Sequence, residues 1–208
     1  MIQPYLGHVE LLRQTGYPLF QDLLKSGKSK TQGTSMTTEV QQRPVKLAIL
    51  TVSDSRTLDN DTSGDALQRM AGEAGHQVVE RLLVRDDIYQ IRYQVSRWII
   101  DPAVEAVITT GGTGLTGRDG TPEAVTPLFD RTIDGFGELF RHLSLHTVGT
   151  STIASRAVAG VANGTFIFTL PGSTGACKDA WNGILKDQLD INNRPCNLVE
   201  LMPRLTEV

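Results

Sequence analysis

An α/β fold is predicted, a mostly parallel central sheet between two helical layers, and three observations predict it. Short β-branched apolar runs alternate with helical patterns at least three times, the order that βαβ units produce. The runs are apolar at almost every position, as strands buried on both faces must be. Each leads into polar or glycine-rich residues and then a helix-start signal, which sets the connecting loops along one common edge of the sheet.

Val45 to Val52 is the first strand and passes directly into Ser53, Asp54 and Ser55. Thr57 to Gly64 reads as a polar loop and Asp65 to Ala74 as a helix stopped by Gly75, with His76 an ordinary loop residue. The second strand, Gln77 to Arg85, ends at Asp86 and Asp87, of which Asp87 is the expected helix cap. The helix beyond carries Ile88, Ile91, Val95, Trp98 and Ile99 at the 3.6-residue period, so Trp98 belongs in the core. Val104 to Thr110 is the third strand. It enters Gly111-Gly112-Thr113-Gly114, then Arg118 and Asp119, and finally a helix from Thr121 to about Asp130. There Thr121 is the expected cap, Pro122 suits the first turn and Glu123 the positive end of the dipole.

Gly135 to Leu145 places Phe136, Leu139, Phe140 and Leu143 at helical spacing. Ser155 to Val161 leads to Thr165 to Leu170, a continuous apolar strand ending at Pro171-Gly172-Ser173. Ser173 is positioned to cap a helix to about Leu189, with Ala176, Cys177, Ala180, Trp181, Ile184 and Leu185 facing inward. Asn197 to Met202 is expected to pack as a last short element.

The length of 208 residues favours one domain with an appendage: an N-terminal extension over residues 1–43, partly flexible, and a single domain over residues 44–208. Leu6 to Leu24 suggests short helical pieces broken by Gly16 and Pro18, and Lys25 to Pro44 has little to bury and reads as a flexible linker. A chain start at Met36 and a partner-binding arm are both open readings of the extension. No run approaches the ~20 apolar residues of a membrane span, so no membrane association is expected. A net charge of −3 supplies no basic field, which argues against nucleic acid as a partner and makes any phosphate site local. Cys177 and Cys196 lack metal-ligand spacing and are too few for a disulfide framework. With no secretory leader pattern, reduced thiols and a cytoplasmic location are expected.

Ser53 and Asp54, Asp86, Gly111 to Asp119, and Pro171 to Ser173 all follow predicted strands, so they are expected to converge where open α/β sheets bind ligands. Gly112 to Gly117 matches G-x-G-x-x-G, but the helix begins only after Arg118-Asp119-Gly120 and no second strand ends in an acid about 20 residues on, so the match is a decoy for dinucleotide binding. A glycine loop beside a helix start still suits a phosphate. Asp86 and Asp119 could each be a local cap. If they meet, two carboxylates about 4 Å apart repel by ~4 kcal/mol at an effective dielectric near 20, more than a helix dipole offsets, and a cation is expected between them. Hard oxygen ligands beside a polyphosphate favour Mg²⁺. Arg118 could face substrate phosphate or pair with Asp119. His142 and His146 are four apart but have no third metal ligand nearby.

T-V-S-D at Thr51 to Asp54, the acid Asp86, T-T-G-G-T-G with G-R-D-G-T-P-E-A, G-F-G-E-L-F-R, S-R-A-V-A-G-V at Ser155 to Val161 and L-P-G-S at Leu170 to Ser173 occur together and in order. This series resembles the MogA/MoaB family of molybdenum cofactor biosynthesis, with D-T-S-G, G-T-S-T and R-P-C-N pointing to its MoaB branch, over Val45 to Cys196. The resemblance implies a molybdopterin-binding-domain fold, a homotrimer or hexamer, and transfer of AMP from ATP to the terminal phosphate of molybdopterin with Mg²⁺. It implies that Asp86 and Asp119 serve metal and catalysis. Gly111, Gly112, Thr113 and Gly114 would form the phosphate and pterin loop, and Ser53, Asp54, Pro171, Gly172 and Ser173 other substrate-binding edges. Gly120 departs from the family's usual β-branched residue. A non-catalytic molybdopterin carrier or scaffold is the alternative.

Overall fold

The computed structural model describes residues 42–207, so the helical pieces expected within Leu6 to Leu24 and the linker up to residue 41 lie outside the described residues. The elements are β1 (Lys46–Val52), α1 (Thr62–Glu73), β2 (Gln77–Val84), α2 (Ile88–Ile99), β3 (Ala106–Thr110) and α3 (Thr121–Val125). They continue as β4 (Arg131–Thr132), α4 (Asp134–Val148), β5 (Val158–Ala162), β6 (Thr165–Leu170) and α5 (Thr174–Ala180). A π turn over Trp181–Leu185 carries α5 on to Gln188, and a 3-10 turn over Val199–Arg204 packs Val199 into the core.

Among the described residues the sheet has six strands in the order β2-β1-β3-β6-β5-β4. β1 runs parallel to β2 and to β3, and β3 parallel to β6, as the alternating pattern predicts. β5 and β4 then extend the sheet antiparallel. The sequence reading carries Ser155 to Val161 forward without naming a strand, whereas here it turns back at Asn163-Gly164. Their φ values of 47° and 81° are those of a two-residue hairpin turn matched to the sheet's twist.

Alternation along the buried strands builds a core on each face. Leu47 and Ile49 of β1 join Phe166 and Phe168 of β6 with Leu67, Phe136, Phe140 and Trp181 from α1, α4 and the α5 continuation. Ala48, Leu50 and Val52 join Val107 and Ile167 with Ile91, Val95 and Trp98 of α2 and Ala124 of α3. Trp98 is fully buried, as its spacing predicts, while Leu139 is 44% exposed and leaves Phe136 and Phe140 as the inward residues of α4. His76 is structural: its Nδ1 accepts from the Val45 amide at 3.2 Å and its ring meets Trp181 edge-on. No helix among the described residues is long and apolar enough to cross a membrane.

Helix starts show where local signals suffice. Asp87 accepts from the amides of Tyr89 and Gln90, both at 2.9 Å, and Ser173 from that of Ala176 at 3.2 Å. Thr121 is no cap: Gly120 holds that position, and the Thr121 hydroxyl donates back to the Gly111 carbonyl at 2.8 Å, tying helix to glycine turn. α3 also ends at Val125, followed by a 3-10 turn at Thr126–Leu128 that includes Pro127, a residue unable to donate its amide to a continuing helix.

α1 begins at Thr62 rather than Asp65 because Asp61 caps it through the Gly64 amide at 3.0 Å. Asp61 is fully buried and also accepts from the Thr51 hydroxyl at 2.6 Å and Arg81 Nη2 at 2.8 Å, so it joins β1, β2 and α1. Burial pushes its carboxyl up, but the Thr51 hydroxyl, the Gly64 amide and the Arg81 guanidinium outweigh it and hold the pKa below the ordinary carboxylate value. The stabilisation is therefore fully present above the unfolded carboxyl's pKa of about 3.9 and lost as pH falls through the lower folded value. Asp61→Ala is expected to cost about 3 kcal/mol in denaturant unfolding, since the mostly buried Arg81 loses its buried counter-ion and keeps only the exposed Asp65, while the Thr51 hydroxyl and Gly64 amide lose their acceptor. Asp61→Asn should flatten the loss of stability below pH 3.9 in acid titrations.

Candidate functional site

The carboxyl ends of β1, β2, β3 and β6 lie side by side, so the polar residues after each come together. Between them opens a cleft of about 840 Å³ lined by Ser53, Gly111 to Gly114, Asp119 and Pro171 to Ser173. The turn after β3 is the tightest part. Gly111 (φ +106°) presses on the Val52 carbonyl, where a Cβ would overlap the end of β1. Gly112 (φ +61°) lies against the Asp86 carboxylate, which would be 2.8 Å from any Cβ, and Gly114 lies against Asp119, at 2.7 Å. The two acids thus flank the glycine turn.

They differ in state. Burial raises the Asp86 pKa; the Gly120 amide at 3.3 Å opposes this, and the charges of Asp119 and Asp54 add to the rise. Asp119 is held below the ordinary range because the Thr116 hydroxyl (2.6 Å) and amide (2.9 Å) both donate to one of its oxygens. Asp86 does not itself line the cleft, and neither does Asp54. Asp54 takes the Arg118 guanidinium at 2.5 Å and accepts from the Asp86 amide at 3.3 Å. Arg118 therefore pairs with Asp54, not with Asp119 as one sequence reading allowed. Gly120, the departure noted in the sequence, packs on Ile88: a Cβ there would lie 2.7 Å from Cγ1 of that residue.

Several site residues escaped the sequence. Arg156 donates to the carbonyls of Gly114 (2.8 Å), Asp119 (2.8 Å) and Thr113 (3.4 Å) and pairs with Glu123, holding the whole β3–α3 loop. No local pattern announces a contact that spans more than 30 residues. Arg56 lines the cleft and binds the Ser63 hydroxyl at 2.9 Å, which in turn donates to the Gly172 carbonyl at 2.8 Å; its place soon after Ser53 was a usable signal. The far wall comes from Ser144, Thr147, Ser151, Thr152 and Asp179. Ser155 is in the wall too, its hydroxyl oxygen buried without a partner among the described residues, a polar group left for a ligand to satisfy. Cys177 touches Thr110 at 3.2 Å behind the cleft, and burial pushes its thiol up to about 11, so it stays protonated.

No group of three His, Cys, Asp or Glu that could hold a metal occurs among the described residues. A pair of carboxylates still fits Mg²⁺, which is commonly held by one or two carboxylates together with substrate phosphates and water. Asp86 and Asp119 lie on either side of Gly112 to Gly114, and the charges of Asp119 and Asp54 act on the Asp86 carboxyl, a placement a cation would relieve.

Fold and site together define an open α/β protein whose cleft sits at a topological switch point, between β1 and β3, beside acidic side chains. Residues 48–190 match the family model described as "Probable molybdopterin binding domain", and the chain belongs to this family. The molybdenum cofactor biosynthesis protein B of Escherichia coli K12 is 56% identical over 154 residues, covering 74% of this chain and 91% of that protein. Its namesake in Staphylococcus carnosus is 44% identical over 151 residues, covering 71% and 88%. Among solved structures, the tungsten cofactor synthesizing protein MoaB of Pyrococcus furiosus superposes with a TM-score of 0.65 at 33% identity, covering 73% of this chain and 96% of that one.

Arg156→Ala is expected to raise amide hydrogen exchange across Thr113 to Asp119 while the circular dichroism of the fold is retained. Arg156→Lys should not restore protection, because a single ammonium does not reproduce a planar fork that reaches three carbonyls.

Proposed function

We propose that the protein acts in molybdenum cofactor biosynthesis by binding molybdopterin and transferring AMP from ATP to its terminal phosphate. One observation carries this reading: Asp86 and Asp119 flank a glycine turn at the carboxyl edge of the sheet. Mg²⁺ bound between these carboxylates and the polyphosphate would neutralise charge that otherwise repels the incoming phosphate.

The chain's part is positioning. The Gly111 amide is taken by the Leu170 carbonyl and Gly114 faces Asp119, so the amides of Gly112 and Thr113 are the ones in the turn that phosphate oxygens would approach. Thr116 and Arg156 fix the loop so that Asp119 keeps one orientation, and Ser173 presents the start of α5 to the cleft. With both substrates held in line, an oxygen of the molybdopterin phosphate attacks the α-phosphorus of ATP. The bond to the bridging oxygen breaks and pyrophosphate leaves with its electrons, with no covalent enzyme intermediate. A homotrimer or hexamer and a cytoplasmic location belong to the same proposal and rest on the likeness to the MoaB branch.

Asp86→Ala and Asp119→Ala are each expected to abolish AMP transfer while thermal unfolding stays cooperative. The assay is incubation with ATP, Mg²⁺ and molybdopterin followed by detection of adenylylated pterin. Full activity in both variants defeats the proposal. Molybdopterin binding by the wild-type chain without any Mg²⁺-dependent nucleotide binding would identify a carrier instead.

A further inference from the structure

The cations around the glycine turn are unequally committed. Arg156 is engaged by three carbonyls and Glu123, and Arg56 by Ser63 and the buried Asp61, so moving either would break loop or core contacts. Arg118 differs. Its side chain is 68% exposed and its one hydrogen-bonding partner among the described residues is Asp54, itself 42% exposed, reached through Nε at 3.1 Å and Nη2 at 2.5 Å. Such a solvent-exposed ion pair is weakly held and screened by salt.

Its surroundings say what could compete for it. Arg118 directly precedes Asp119 in the loop that ends the glycine turn, and Asp54 follows Ser53 of the cleft and takes the Asp86 amide. Asp86 and Asp87 both act electrostatically on the guanidinium. A nucleoside triphosphate entering the cleft meets the carboxylate of Asp119, with Asp54 and Asp86 at its margin, and beside them, in Arg118, a cation that can be freed without cost to the core. Guanidinium is the group best shaped for a phosphate, since two parallel N–H donors match two oxygens.

We propose that Arg118 is the cation that receives the nucleoside triphosphate, and that Asp54 holds it in reserve beside the glycine turn, acting through Arg118 and not on substrate. On binding, the guanidinium exchanges Asp54 for phosphate oxygens; no covalent bond changes. Asp54 is then a positioning residue that lowers nucleotide affinity by competing for the same donors. The inference rests on the proposed use of ATP.

A brace and a reserve differ in sign. If the pair only braces two loops, removing either half weakens binding. If Arg118 is held in reserve, the two halves act oppositely. The test is calorimetric titration of the full chain with Mg²⁺ and α,β-methylene ATP, which binds without transferring AMP. Arg118→Ala is expected to raise Kd about tenfold or more, the loss of a charge-assisted phosphate contact, with Arg118→Lys intermediate. Asp54→Asn is expected to lower Kd severalfold, and this gain should vanish in the Asp54→Asn/Arg118→Ala double variant. Weaker binding in both single variants, an unchanged Kd in Arg118→Ala, or an Asp54→Asn gain that persists without Arg118 each overturns the inference while leaving AMP transfer standing. Failure of the wild-type chain to bind the analogue overturns both.

Discussion

A buried carboxylate organises this fold. Asp61 is shut away from solvent between β1, β2 and the start of α1, and its charge is met by the Thr51 hydroxyl, the Gly64 amide and Arg81. A buried ion is tolerated only when its lone pairs are filled, so this one sets the start of α1 and ties it to β1 and β2. Through Arg56 and Ser63 the same network reaches the Gly172 carbonyl after β6. The strand ends that form the cleft are thus registered against one another by a buried residue that does not itself line the cleft. Gly64 is part of the arrangement: any side chain there would occupy the space of the Asp61 carboxylate.

Above that floor the problem is electrostatic. Carboxylates gather at an edge where the proposed substrates bring still more negative charge. The chain answers with hydrogen bonds of unequal strength. Asp119 is quieted by Thr116, Asp54 by Arg118, and Asp86 receives only a long contact from the Gly120 amide. The imbalance leaves Asp86 the least satisfied of the three acids, its pKa raised by burial and by the charges of Asp119 and Asp54.

Much of this could be read from the residues, and what could not has a common cause. Strands β1, β3 and β6 declare themselves because burial on both faces demands near-continuous apolar runs, the edge strand β2 because Val78, Val79, Leu82, Leu83 and Val84 are β-branched or apolar around Glu80 and Arg81, and Asp87 and Ser173 because a cap acts within three residues. Convergence at the sheet edge followed from the parallel topology alone. Hidden instead were interactions between residues far apart in the chain. Arg156 grips carbonyls, which carry no residue identity, so although S-R-A-V-A-G-V and the glycine turn both stand out as motifs, nothing in either says that they touch. Asp61 sits in D-N-D-T-S-G, which reads as loop because every residue in it favours turns, and burial overrides that preference. Asn163-Gly164 is a miss of another kind, a hairpin signal that stood in the sequence between two apolar runs.

The returning hairpin also bears on how the molecule keeps to itself. β5 is nearly all small and buried, Val-Ala-Gly-Val-Ala, with no charge along its length, and left as the outermost strand it would offer bare main-chain groups to any extended segment nearby. β4 takes that flank, yet pairs through only Arg131 and Thr132, both exposed and one of them charged. A border so brief and polar gives a passing strand almost nothing to template on, so on that side the sheet is closed to runaway growth.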